Sequence, residues 1–137
     1  MRTFWLDTNV VLRFLLGEPE ELAQRAYRIL KAAEERRVRL VWHPLVVAEV
    51  VYTLRSFYKV PLPQVVHRLE ALWARPGMWV LEEEAFRKAF GLMLEKKVHL
   101  TDALLAVKAT SGEGVASLDQ DFLRLGVEVW DGTEDPS

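Results

Sequence analysis

Five short runs rich in apolar residues alternate along the chain with longer stretches whose apolar residues recur at helical spacing. The runs are Thr3 to Leu6, Val38 to Trp42, Met78 to Leu81, Val115 to Ser117 and Val127 to Trp130. Their brevity and bulk predict buried strands. The stretches between predict helices over Val10 to Leu16, Pro19 to about Arg37, Pro44 to about Tyr58, Pro63 to about Arg75, Glu82 to about Lys97 and Thr101 to Thr110, with one or two turns over Asp119 to Leu125. Proline opens three of them, and acidic residues fill the first turn of the second and fifth, where the helix dipole favours negative charge. Strands regularly separated by helices specify an α/β chain with a largely parallel central sheet flanked by helices. Such sheets bind ligands beyond the carboxyl ends of their strands.

With 137 residues, half of them hydrophobic, the chain fits one sizeable core. The expected domain runs over residues 1–131, followed by a short acidic tail at 132–137. The absence of cysteine excludes disulfides, iron–sulfur clusters, thiolate zinc sites and cysteine nucleophiles together. Any metal must therefore sit on oxygen or imidazole. The longest uninterrupted apolar run, Ala103 to Val107, is far short of the ~20 residues that span a bilayer. Asp7 and Arg13 break up the amino-terminal apolar residues before a secretory segment can form, so the expected location is cytoplasmic. Net charge is −2, without the basic excess of many nucleic-acid binders, but residues 1–60 hold ten basic against seven acidic side chains and residues 61–137 eight against thirteen.

Four carboxylates stand out by position. Asp7 and Asp119 each follow a predicted strand at the start of a helix, a place that suits a ligand site and a simple helix cap equally well. Glu49 lies within Leu45-Val46-Val47-Ala48-Glu49-Val50-Val51, and Asp102 precedes Ala103-Leu104-Leu105-Ala106-Val107. Both are expected near buried faces, where a carboxylate needs a cation, hydrogen bonds or a proton. The alternatives are a Glu reaching water from the margin of its stripe and an Asp that merely complements a helix dipole. Taken together, the four suggest an oxygen-lined pocket for a hard divalent cation, with Mg²⁺ or Mn²⁺ suiting it best.

These segments resemble the motifs of the PIN-domain ribonucleases, and particularly the VapC-like toxins of type II toxin–antitoxin modules. Leu6-Asp7-Thr8-Asn9-Val10 is similar to the opening motif, Val47-Ala48-Glu49-Val50 to the second, Leu100-Thr101-Asp102-Ala103 to the third, and Ser117-Leu118-Asp119-Gln120-Asp121-Phe122 to the fourth. The resemblance spans nearly the whole chain. It departs from the common pattern in having Ser117-Leu118 where Thr-Phe is commoner, and in mild overall acidity. It implies a single PIN-like nuclease domain whose acidic quartet, Asp7, Glu49, Asp102 and Asp119, holds Mg²⁺ or Mn²⁺, with Asp7 and Asp102 as direct ligands. Asn9 and Ser117 would support the metal or scissile phosphate. Asp121 matches the second acid of the fourth motif but equally suits a solvent-facing helix start. The resemblance further implies endoribonuclease activity leaving 5′-phosphate and 3′-hydroxyl ends, an RNA substrate, a small antitoxin partner and a homodimer. The alternatives are a catalytically silent module that binds RNA or protein, and a PIN nuclease of RNA processing.

Other classes fare worse. A receiver-type signalling domain would need a phospho-acceptor Asp ending a central strand and a Lys after a later one, whereas Glu49 falls on a helix and no suitable Lys follows a strand. No phosphate-binding GxxxxGK[ST] segment occurs. His43, His67 and His99 lack zinc-ligand spacing. Arg13, Arg55, Lys96 and Lys97 could meet RNA or simply be solvated. The tryptophans are expected in the core, since Trp5, Trp42, Trp79 and Trp130 all fall in predicted strands.

Overall fold

A computed structural model describes residues 1–109, 112–133, 135 and 136. It contains two compact units, Met1–Glu82 and Glu83–Ser137.

In the first unit, strand β1 (Arg2–Trp5) leads through helices α1 (Thr8–Leu16) and α2 (Glu20–Glu34) to strand β2 (Val38–Trp42). Helices α3 (Pro44–Ser56) and α4 (Leu62–Trp73) then lead to strand β3 (Met78–Val80). The three strands form a parallel sheet in the order β1-β2-β3, with Phe4 opposite Leu40 and Leu40 opposite Met78. Sequence-adjacent strands are thus neighbours, each pair joined by a two-helix crossover as parallel pairing requires. The helix boundaries have local causes. Gly17 closes α1 in the left-handed conformation, its N–H bonded to the Arg13 carbonyl. Pro44 occupies the first turn of α3, which the His43 ring caps by accepting the Leu45 N–H at 3.0 Å.

The core of this unit is drawn from β2 and one face of each helix: Leu30, Leu40, Trp42, Val47, Val50, Leu54, Val65 and Leu69 are all buried. Trp42 is wholly enclosed, edge-on to Trp73 at 5.9 Å, and its indole N–H points at the Met78 sulfur 3.3 Å away. Gly77 lets β3 start against the end of α2. Its φ is +81°, and a Cβ there would lie 2.5 Å from the Ala33 carbonyl oxygen.

In the second unit, helix α5 (Glu83–Lys96) packs with helix α6 (Leu100–Lys108), and strands β4 (Val115–Ala116) and β5 (Val129–Trp130) pair in parallel around a 3₁₀ segment, Gln120–Leu125. Glu83 and Glu84 occupy the first turn of α5 and bind Arg87 and Lys88 one turn later at 2.8 and 3.1 Å. Phe86, Ala89, Phe90 and Met93 form its buried face. Val115, Phe122 and Val127 make a small separate cluster.

The expected alternation of strands and helices is therefore present, with parallel sheets of three and two strands. Strand β2 has the expected limits. Helix α2 stops at Glu34 rather than near Arg37, because Arg36 takes a positive φ of 62° that ends the helical run. Thr110, the expected last residue of α6, lies outside the described residues. Only one of the four tryptophans expected in strands behaves as core: Trp42 is buried, whereas Trp5, Trp79 and Trp130 are all exposed, and the other buried tryptophan, Trp73, belongs to α4.

Candidate active site

In both units a carboxylate follows the carboxyl end of a strand. Asp7 comes two residues after β1 and Asp119 three residues after β4. Locally the two positions look alike, since each residue is extended and immediately precedes helical structure. Their side chains behave differently. Asp119 Oδ1 accepts the Asp121 N–H at 2.8 Å, and Ser117 Oγ accepts the Asp119 N–H at 2.9 Å. Asp119 is thus a working cap, braced by Ser117. Asp7 has the backbone angles of an N-cap (φ −89°, ψ 145°), yet its carboxylate makes no capping hydrogen bond and no ion pair among the described residues. It is exposed, at the end of the parallel sheet where such folds place ligands.

Glu49 belongs to the same unit as Asp7. It stands on α3, a helix that packs against α1. The expectation of a buried neighbourhood fails here: Glu49 is exposed, together with Leu45 one turn before it and Tyr52 one turn after. The apolar residues that suggested burial, Val47, Val50, Val51 and Leu54, occupy the other side of α3. Nearly every position of this helix is apolar, so the sequence does not reveal which side is inward.

Asp102 and Asp119 belong to the second unit. Asp102 is half-buried in the first turn of α6, directly before buried Ala103. Asp121 is exposed at the start of the 3₁₀ segment, and its backbone N–H serves Asp119. Asn9 is exposed in the first turn of α1 and lines a surface depression with Arg13 and Arg25. The four quartet residues are thus divided two and two between the units, and no group of three or more His, Asp or Glu side chains able to hold a metal occurs among the described residues. The chemistry of the donors nevertheless suits a hard cation. The side chains of Asp7, Glu49 and Asp102 make no hydrogen bond or ion pair among the described residues, so their oxygens remain free to ligate.

Of the four expected RNA-contacting cations, Arg13 is committed elsewhere. Its guanidinium donates to the Glu18 carbonyl at 2.8 Å and to the Tyr58 hydroxyl at 3.1 Å, tying α1 to the segment that follows α3. Lys96 lies 3.9 Å from Glu95. Sequence reasoning weighed His43 only as a zinc ligand, but its ring caps α3 and lies 6.2 Å from exposed Trp5 at the carboxyl ends of β2 and β1. Its signal was the His-Pro pair directly after a strand.

No helix among the described residues is long and apolar enough to cross a membrane. No curated protein matches the chain with significance. A family model described as PIN domain matches residues 4–128, running through both units and containing all four carboxylate motifs. PIN domains are generally nucleases that use divalent metals, and with nine-tenths of its length matched this chain belongs to the PIN-domain family.

Proposed function

We propose that the protein is a Mg²⁺- or Mn²⁺-dependent endoribonuclease, with Asp7, Glu49, Asp102 and Asp119 as its acidic quartet. The observation that carries the reading is Asp7. A carboxylate placed at a helix N-cap, yet making no cap and no ion pair at the carboxyl end of a parallel sheet, is available to a ligand. A bound divalent cation would polarise a phosphoryl oxygen and lower the pKa of an attacking water. The quartet would hold it through carboxylate oxygens. Ser117 keeps Asp119 oriented by accepting its backbone N–H, and Asn9, two residues after Asp7 in the first turn of α1, would offer an amide to the metal or scissile phosphate. Hydrolysis at phosphorus would leave a 5′-phosphate and a 3′-hydroxyl.

The order and spacing of the four motifs also support reading the chain as a VapC-like toxin, with a small antitoxin as partner and a homodimer as its working form, and the absence of cysteine fits a cytoplasmic location. Growth arrest on expression, relieved by the product of an adjacent small open reading frame, tests that role. The nuclease itself is tested by incubating RNA with rigorously purified protein in Mg²⁺, in Mn²⁺ and in excess EDTA, beside Asp7→Asn. Cleavage that survives EDTA or the substitution defeats the proposal.

A further inference from the structure

Three shallow depressions on the first unit adjoin one another along one side of α2, sharing lining residues. The first is lined at one end by Asp7 and passes Val10, Ile29 and Ala32. The second shares Val10 and Ile29 and adds Asn9, Leu22 and Arg25. The third shares Arg25, Ile29 and Ala32 and adds Arg28 and Arg37. Together they form one continuous track. Its floor is mostly apolar, its far half carries guanidinium groups, and the single carboxylate lining it is Asp7.

Arg25 and Arg28 are the distinctive members. They stand three residues apart on one helix, hence on one face. Both are exposed, and neither has a hydrogen-bond or ion-pair partner among the described residues. Glu21, four residues before Arg25, forms no ion pair with it. Gln24, four before Arg28, accompanies Glu20 instead. The acids at the other end of α2 are engaged, Glu34 with Arg75 and Glu35 with Arg37. Among the described residues, no acid pairs with these two adjacent positive charges, which stand beside a groove that ends at Asp7.

We infer that this track carries the single-stranded RNA substrate, with Arg25 and Arg28 holding consecutive backbone phosphates and the chain of nucleotides running toward Asp7. The inference deepens the nuclease reading and rests on it. Guanidinium groups bind phosphate oxygens in forked geometry, and aromatic rings stack bases without reading their sequence. An acidic protein segment is the competing occupant. The exposed rings of Phe4 and Trp5, which line the depression that ends at Asp7, offer faces on which bases stack, and so favour a nucleic acid.

The test separates binding from cleavage. Affinity of a labelled single-stranded oligoribonucleotide is measured in EDTA over a range of salt for wild type, for Arg25→Gln/Arg28→Gln, and for Lys31→Gln/Lys59→Gln, which removes the same charge off the track. Losing two phosphate contacts should weaken binding about tenfold or more at low salt and flatten the log K against log salt slope by about 1.4. The lysine pair should leave that slope unchanged. In Mg²⁺ the arginine variant should show a raised KM with kcat within about twofold. Equal affinity and slope in the two double variants overturns the inference, including where the arginine variant instead loses a co-expressed protein partner. If wild type fails to cut in Mg²⁺ while its RNA affinity still depends on Arg25 and Arg28, the nuclease reading falls and the track stands.

Discussion

The Asp121 backbone N–H is held by Asp119 Oδ1 at 2.8 Å, so the carboxylate of the fourth motif has a structural duty that Asp7 lacks. The two residues should therefore separate stability from catalysis. Asn caps a helix as well as Asp does, whereas Ala does not, at a cost of about 1 kcal/mol. Asp119→Asn should keep wild-type stability and lose RNA cleavage, and Asp119→Ala should lose both. Thermal unfolding and cleavage of the two variants check this. Equal stability of the two would remove the capping role.

Asp7→Asn should leave stability within about 0.5 kcal/mol of wild type, because no contact of the side chain is lost, and should abolish most cleavage. Asp121→Asn should be milder in cleavage, since its contribution to the fourth motif runs through its main chain. Rates for the variants in Mg²⁺ decide the order. If Asp121→Asn is the most damaging, the assignment of the fourth carboxylate is wrong.

Metal binding should register in stability. A ligand that binds only the native state stabilises it by RT ln(1 + [L]/Kd), about 2.7 kcal/mol at a hundredfold excess. Wild type should melt higher in Mg²⁺ than in EDTA, and Asp102→Asn should gain less. Equal gains would take Asp102 out of the metal site. Lower stability of Asp102→Asn by the same amount with and without metal would assign the residue to the α6 dipole alone.

Gly77→Ala should destabilise the first unit by about 2–4 kcal/mol, combining the cost of a left-handed backbone with a clash against a carbonyl that belongs to α2. Denaturant unfolding measures it. Gly17→Ala meets no atom within 4 Å and should cost only the backbone term, about 1 kcal/mol.

The segment after β5 carries its own titration signature. Hydrogen bonds from the Thr133 hydroxyl, at 2.7 Å, and from the Thr133 N–H, at 3.0 Å, hold the Asp131 carboxyl below its ordinary value. A depressed folded pKa contributes stability that is present above the unfolded value of 3.8 and lost as pH falls through the folded one. Thr133→Ala should raise the Asp131 midpoint in an NMR titration, and an unchanged midpoint would show that the hydroxyl contributes nothing.

The order of elements was legible in the chain because its determinants are local. Short apolar runs marked strands, prolines at 44 and 63 marked helix starts, and acidic first turns marked α2 and α5. The positions of Asp7 and Asp119 after strands were legible for the same reason. Which of these two carboxylates caps was not, because both sit in the same strand–Asp–helix context and the difference lies in which backbone N–H each side chain reaches. Nor was the exposed side of α3 legible, since its almost continuous apolar sequence leaves the inward face to be chosen by the helices and strands packed against it. The tryptophans follow the same rule: Trp42 and Trp5 occupy equally strand-like runs, yet one is enclosed by Trp73 and Met78 while the other is exposed. The charge of Arg25 and Arg28 was written in the sequence; that no acid among the described residues pairs with them, and that their helix face borders a groove leading to Asp7, was decided by tertiary structure, because burial and charge pairing depend on residues distant in the chain.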